Sequence, residues 1–227
     1  ALHDLVAKSM HQPLYKFLGG GKPELKILTT VSVKAVTEMV EDAQLFVAQG
    51  FETLKIKVGL NPAEDIQRLK AIREAVGDSI SILSDANQGW DAKSALQIID
   101  SLAAHNLGIA MVEQPVKAWD YANLKYVRDN SRIPIYADES AFNLRDVSKI
   151  IQAQMADGIN IKLMKSGGLY AARPIYDLAT SHNLPCMAGC MLESPIGLAA
   201  MAAFVVGKSN IKFVDLDPIA MIKSNPV

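Results

Sequence analysis

Residues 53–90 read TLKIKVGLNPAEDIQRLKAIREAVGDSISILSDANQGW. TLKIKVG is rich in β-formers and ends in glycine. Asn61 followed by Pro62 then reads as a helix N-cap with proline at the first helical position. Ile66, Leu69, Ile72 and Val76 recur at helical spacing up to Gly77, a stop signal. ISILSDA resumes the β pattern. A strand, one helix and a second strand leave room only for a direct crossover, which joins the two strands in parallel.

The same unit repeats in both directions. β-rich runs stand at 27–33, 53–59, 80–86, 109–115, 133–139, 158–164, 185–191 and 212–218, and their starts are 24 to 29 residues apart. Amphipathic segments separate them, such as Val36, Met39, Val40, Ala43 and Val47 before Gly50. An open doubly wound sheet would need a switch point, and no Gly-rich phosphate fingerprint marks one. The pattern predicts an α/β fold, a TIM-type (β/α)7β barrel, with chemistry at the C-terminal ends of the strands.

The chain has 227 residues, half of them apolar, and a formal charge of −1. It has no Lys/Arg block for nucleic acid and no 18-residue apolar run for a membrane span, so a small-molecule partner is expected. Cys186 and Cys190 would stand roughly 13 Å apart on one strand, too far for a disulfide, and are expected to be structural or pocket-lining. Free cysteines and the lack of a signal peptide point to a reducing, cytoplasmic location. Leu2, Leu5 and Val6 have helical spacing from the first residues, as in a chain that begins part-way through a larger protein. The C-terminal MIKSNPV reads as a Pro-containing loop.

Three carboxylates sit at the ends of successive strand runs: Asp85 in ISILSDANQ, Glu113 in IAMVEQP and Asp138 in IPIYADES. Lys57 precedes the set and Lys162 follows it. By strand alternation Lys55 and Lys57 point one way, as do Asp85 with Asn87 and Asn160 with Lys162. Charges aimed into a barrel mouth are costly unless paired or metal-bound. Three oxygen donors without His or Cys favour Mg²⁺, with Mn²⁺ as the alternative. Such a site suits removal of a proton α to a carboxylate, with the metal stabilising the enediolate and a lysine as base. A free lysine is too basic for this, but a neighbouring ammonium and a divalent cation lower its proton affinity. Lysines on strands two and six would meet a substrate on opposite faces, the requirement for racemisation or epimerisation.

At these residues the sequence resembles the enolase superfamily, in its muconate lactonizing enzyme subgroup, and within it the dipeptide epimerases. Enolase-superfamily sites generally use a Lys or His base with Mg²⁺. The likeness runs through PLYKFLGG, LKIKVG, DANQGW, VEQPVK, ADES, NIKLMKSGG, GCMLESPIG and VDLDP. It implies an isomerase in which Lys57 and Lys162 exchange the α-proton on opposite faces and Asp85, Glu113 and Asp138 hold Mg²⁺. Lys55 would contact the substrate carboxylate, and Lys165, of opposite strand parity to Lys162, would lie behind the site or in solvent. No His falls on strand seven, so the His base of mandelate racemase-like members is missing.

Asp215 and Asp217 share strand parity, and in dipeptide epimerases the Asp-x-Asp element holds the substrate's α-ammonium. A turn-capping role for Asp217 before Pro218 is the structural alternative. Thr30, Cys190 and Met191 match pocket-lining positions. The resemblance further implies that residues 1–20 are the last helix and linker of an α+β capping domain otherwise missing from the chain. Residues 21–227 would be a barrel shortened at its C-terminal end. Enzymes of this family are often homo-oligomeric. Other chemistry of the subgroup, such as N-acylamino acid racemase, o-succinylbenzoate synthase or cycloisomerase, and an inactive capless barrel remain alternatives.

Overall fold

The computed structural model describes residues 1–21 and 24–217. Helices α1 (Leu2–Ser9) and α2 (Leu14–Phe17) come first. Strands and helices then alternate through β1 (Thr29–Val31), α3 (Val36–Ala48), β2 (Thr53–Lys57), α4 (Pro62–Val76), β3 (Ser81–Asp85) and α5 (Ala92–Ala104). They continue through β4 (Ile109–Glu113), α6 (Tyr121–Asn130), β5 (Ile135–Ala137), α7 (Leu144–Ala153) and β6 (Gly158–Lys162). The chain closes with α8 (Leu163–Ser166), α9 (Leu169–Ser181), β7 (Cys186–Gly189), α10 (Pro195–Val205) and β8 (Ile211–Val214).

The eight strands form one parallel sheet in chain order. The sheet curls until the Leu28 N–H, just ahead of β1, donates to the Val214 carbonyl at 2.9 Å. This is the expected (β/α)7β barrel. The quoted unit folds as its sequence dictates: the Asn61 side chain accepts from the Ala63 and Glu64 N–H groups, Pro62 opens α4, and Gly77 ends it. Leu69 and Ile72 are fully buried, while Ile66 and Val76 lie partly buried on the same face. α2 packs on α10, and Lys208 donates to the Leu18 carbonyl, so the N-terminal segment is fastened to the barrel. Leu2, Leu5 and Val6 of α1 are exposed. Among the described residues no helix is long and apolar enough to cross a membrane.

Strand alternation separates two cores. Leu54, Ile56, Ile82, Val112 and Ile161 point outward and pack with helical residues such as Met39, Leu69 and Ile98. Leu28, Leu83, Met111, Tyr136 and Met187 point inward and pack together, with Phe213 against them. Each inner residue stands two positions before Thr30, Asp85, Glu113, Asp138, Gly189 or Asp215 in turn. A step of two returns to the same face, one pleat toward the C-terminal end. The inner apolar layer is therefore the floor on which the polar residues stand.

The strands are shorter than the β-rich runs, and at three of them this changes where expected residues lie. β6 stops at Lys162 and the chain turns at once into α8, so strand parity does not govern Lys165. β7 ends at Gly189, which places Cys190 in a loop and not on the strand with Cys186. β8 ends at Val214, ahead of Asp215 and Asp217. Pro218 lies outside the described residues.

The loop after β3 passes against the loop after β2. A β-carbon on Gly89 would stand 2.2 Å from the Gly59 carbonyl oxygen, and Gly59 itself has φ +104°. Backbone atoms on both sides leave no flexible group to yield. We expect Gly89→Ala to destabilise the protein by roughly 1–3 kcal/mol, the range of forced overpacking. Urea unfolding measures this, and an unchanged midpoint would show that the two loops can separate.

Candidate active site

The polar layer is built strand by strand. Lys57 at the end of β2 donates to Asp85 at the end of β3 at 2.6 Å and to the Asn87 side-chain oxygen at 2.8 Å. Asp85 and Glu113 are register partners on β3 and β4. Glu113 accepts from Asn160 of β6 at 2.7 Å and faces Lys55 of β2 at 3.4 Å. Lys55 also stands 3.3 Å from Asp85 and is clamped by Asp215. Asp138, just past β5, accepts from Lys162 at 2.6 Å and from Lys165. Lys165 also donates to the Asp138 and Asn160 carbonyls, at 2.6 and 2.8 Å. Its side chain is 1% exposed, which corrects the solvent position allowed for it from strand parity.

Burial and charge oppose each other here. Burial would raise Asp85, yet Lys55 and Lys57 outweigh it and hold the carboxyl below its ordinary range. Asp138 is likewise pulled well down, burial being overcome by Lys165 and Lys162. Glu113 lacks so close a cation: burial, then the like charges of Asp85 and Asp138, push it up to about 7. Burial works against the Lys55 ammonium, but Glu113, Asp215 and Asp85 together raise it well above the usual lysine value. Lys162 is raised in the same way, Asp138 and Glu113 overcoming burial.

Above this layer lies a cavity of about 300 Å³. It gathers Thr30, Lys55, Lys57, Asp138, Lys162, Cys190, Met191, Asp215 and Asp217 from the expected set, together with Ser32, Asn87, Glu139 and Leu192. Asp85 and Glu113 lie beneath it, fully buried. β2 and β6 are four places apart in the eight-strand ring, so Lys57 and Lys162 approach from opposite walls. Beside β8, Asp217 accepts the Thr30 N–H at 2.6 Å, while one buried oxygen of Asp215 has no donor. Burial and then Asp215 raise Asp217 above its ordinary value. Both cysteines are free: Cys186 is in the outer core and Cys190 at the cavity, where its thiol meets the Asp215 carbonyl at 3.0 Å. A larger cavity of about 430 Å³ opens at the other end of the strands, but Lys26 and Glu52 on its wall pair with each other at 2.8 Å.

Gln114 was not singled out in the sequence. It is fully buried, with φ +36°, and its side-chain oxygen accepts the Asp138 and Ser140 N–H groups at 2.9 and 3.0 Å. Its amide donates to Val116 and Ser140, and its carbonyl accepts the Gln88 N–H. It thus ties the ends of β3, β4 and β5 together beside the carboxylates. Nothing in EQP announces this, because the partners are remote in sequence. Glu139, partly buried at the cavity wall, was missed as well, hidden by its neighbour Asp138.

A family model described as enolase C-terminal domain-like matches residues 38–222. The chain belongs to that family. An L-Ala-D/L-Glu epimerase of Clostridium acetobutylicum is 43% identical over 96% of this chain and 61% of its own length. The substrate-liganded L-Ala-D/L-Glu epimerase of Bacillus subtilis superposes with a TM-score of 0.97 at 44% identity, over 99% of this chain and 63% of that one. A dipeptide epimerase of Enterococcus faecalis, complexed with Mg and the dipeptide L-Leu-L-Tyr, gives 0.96 at 40% identity, over 99% and 63%. The chain thus spans about three-fifths of the length of these relatives.

In this enolase C-terminal domain-like barrel every carboxylate oxygen of Asp85, Glu113 and Asp138 faces a protein donor: Asn87 N–H, lysine or Asn160. Accordingly no three acidic, His or Cys groups among the described residues converge into a closed metal site. The donor set nonetheless fits a hard divalent cation. All six oxygens are hard donors, and burial together with the like charges of Asp85 and Asp138 raises Glu113, a cost that a cation beside it would relieve.

Glu113 also gives the metal-free protein a pH signature. Its folded value lies near 7 against 4.5 for the free side chain, so the folded state holds the proton more tightly. That contribution is present below pH 4.5 and is lost as the pH rises through about 7. With chelator present, wild-type stability should therefore fall relative to Glu113→Gln across this window, by about 1–3 kcal/mol. Parallel urea-unfolding profiles would contradict it.

Proposed function

We propose that this barrel carries out Mg²⁺-dependent epimerisation of dipeptides, by exchange of the proton on the carbon α to the carboxylate. The observation that carries the reading is the placing of Lys57 and Lys162 on opposite walls of one cavity, above a layer of buried carboxylates. A proton removed by one amine and returned by the other from the opposite side inverts the carbon. Asp85, Glu113 and Asp138 would hold Mg²⁺ or, with the same donors, Mn²⁺. The bound cation would supply positive charge against the substrate carboxylate as the α-proton leaves.

The chain's own residues account for the remainder. Lys162, held by Asp138 and shielded from water, is kept as an ammonium able to deliver a proton. Lys57 is more accessible and lies at the mouth. Asp215 and Asp217 give the β8 side a cation-seeking wall, and the Asp215 oxygen without a donor fits an N–H of an α-ammonium. That group is what a dipeptide has and an N-acylamino acid lacks. Thr30 sets Asp217 through its N–H, and Cys190 and Met191 close the wall beside them. The names of its relatives, an L-Ala-D/L-Glu epimerase and a dipeptide epimerase, support the same reading.

The test is deuterium incorporation at the α-carbon in D₂O with Mg²⁺. Lys57→Ala and Lys162→Ala should each abolish exchange of a different epimer, and chelation should stop both. Acetylating the dipeptide N-terminus, or substituting Asp217→Asn, should lower kcat/KM by about 10- to 100-fold, the worth of a hydrogen bond to a charged group. N-acylamino acids turned over as well as dipeptides would sink the dipeptide reading. Exchange of both epimers surviving each lysine substitution would sink the two-base one.

A further inference from the structure

The two lysines are fixed by different means. The Lys162 side chain is 7% exposed, and a β-carbon on Gly189 would stand 2.9 Å from its Cε, so packing confines its stem. The Lys57 side chain is 26% exposed, so its stem is less enclosed. It has a polar tether, since its ammonium donates to the Asn87 oxygen at 2.8 Å as well as to Asp85. We propose that Asn87 is the positioning residue of Lys57, aiming its nitrogen into the cavity, and that it serves one face of the substrate only. The proposal rests on the two-base reading above for its functional meaning.

Three features fix the tether. Asn87 follows β3 in the left-handed region, φ +42°, a conformation asparagine tolerates better than most residues. Its own N–H donates to the Asp85 carboxylate at 3.0 Å, which fastens its backbone to the acceptor shared with Lys57. Its amide can face only one way. Lys57 has donors and no acceptor, so the oxygen must turn to it, and the NH₂ then meets the Glu139 carboxylate at 3.4 Å. Glu139 and Lys57 thus hold opposite ends of one planar group.

Asn87→Gly removes the amide without strain at positive φ, and Asn87→Asp restores an acceptor for Lys57 in a residue that also tolerates that backbone. Exchange in D₂O is followed separately for the two epimers of one dipeptide, Lys57→Ala assigning the epimer each lysine serves. Asn87→Gly should lower kcat for the Lys57-dependent epimer by about 10- to 100-fold, the cost of a displaced catalytic group, with KM unchanged. The other epimer should be unaffected, and Asn87→Asp should recover most of the loss. Equal losses for both epimers, or a raised KM with kcat intact, would overturn the proposal, since the amide would then be structural or bind substrate. If wild type exchanges neither epimer, the epimerase reading fails, and lysine acylation mapped by mass spectrometry decides on the tether alone. Asn87→Gly should then speed labelling of Lys57 and not of Lys162, and unchanged labelling overturns it.

Discussion

Everything at the mouth of this barrel depends on balancing charge out of water. Asp85, Glu113, Asp138 and Asp215 face Lys55, Lys57, Lys162 and Lys165, and all but Lys57 are buried. Removing one partner from such a buried pair costs roughly 3–5 kcal/mol, because it leaves a charge uncompensated. The pairs also interlock: Lys55 is shared among three carboxylates, and Asp138 between two lysines. A member that shifts therefore weakens the charge balance of every neighbour that shares it. The site is therefore stiff for an electrostatic reason before any ligand is considered.

That balance is possible because the barrel supplies both a floor and a closed wall. The inner apolar layer excludes water from below, and each polar residue stands one pleat above an apolar one on the same strand. Lys55 and Asn160 are exceptions that make the point. By register they lie level with Leu83 and Met187, within the floor itself, and reach up to the carboxylates. A lysine at that depth is tolerable only because three carboxylates await its ammonium.

Much of this was legible in the sequence, and the reason is periodicity. The repeat of about 26 residues, the Asn61–Pro62 cap and the two-residue alternation are local features, and they were enough to place Asp85, Glu113, Asp138, Lys57 and Lys162 at one end. What escaped was set by contacts between distant segments or by backbone that alternation does not describe. The solvent alternative for Lys165 fails because β6 turns into α8 immediately after Lys162. Gln114 and Asn87 owe their orientation to left-handed backbone after a strand, which neither residue type requires. The clamp of Asp215 on Lys55 joins residues 160 positions apart.

The same layout divides the cavity into two poles, and the division bears on how a zwitterion would lie. On the β3 to β5 side, lysines occupy the carboxylates, and an added divalent cation would give that side a positive excess. On the β8 side, Asp217 and the free oxygen of Asp215 leave a negative excess, since the one lysine there, Lys55, is clamped by Asp215 but shared with Asp85 and Glu113. Lys55 thus serves as the partition, screening the two sets of carboxylates from each other. A ligand with a carboxylate at one end and an ammonium at the other is favoured in one orientation and repelled at both ends in the reverse. On the dipeptide reading proposed above, that orientation would set the carbon beside the carboxylate between β2 and β6, where the two lysines stand. On that proposed reading, selection of substrate direction and selection of the reacting carbon would have one electrostatic cause.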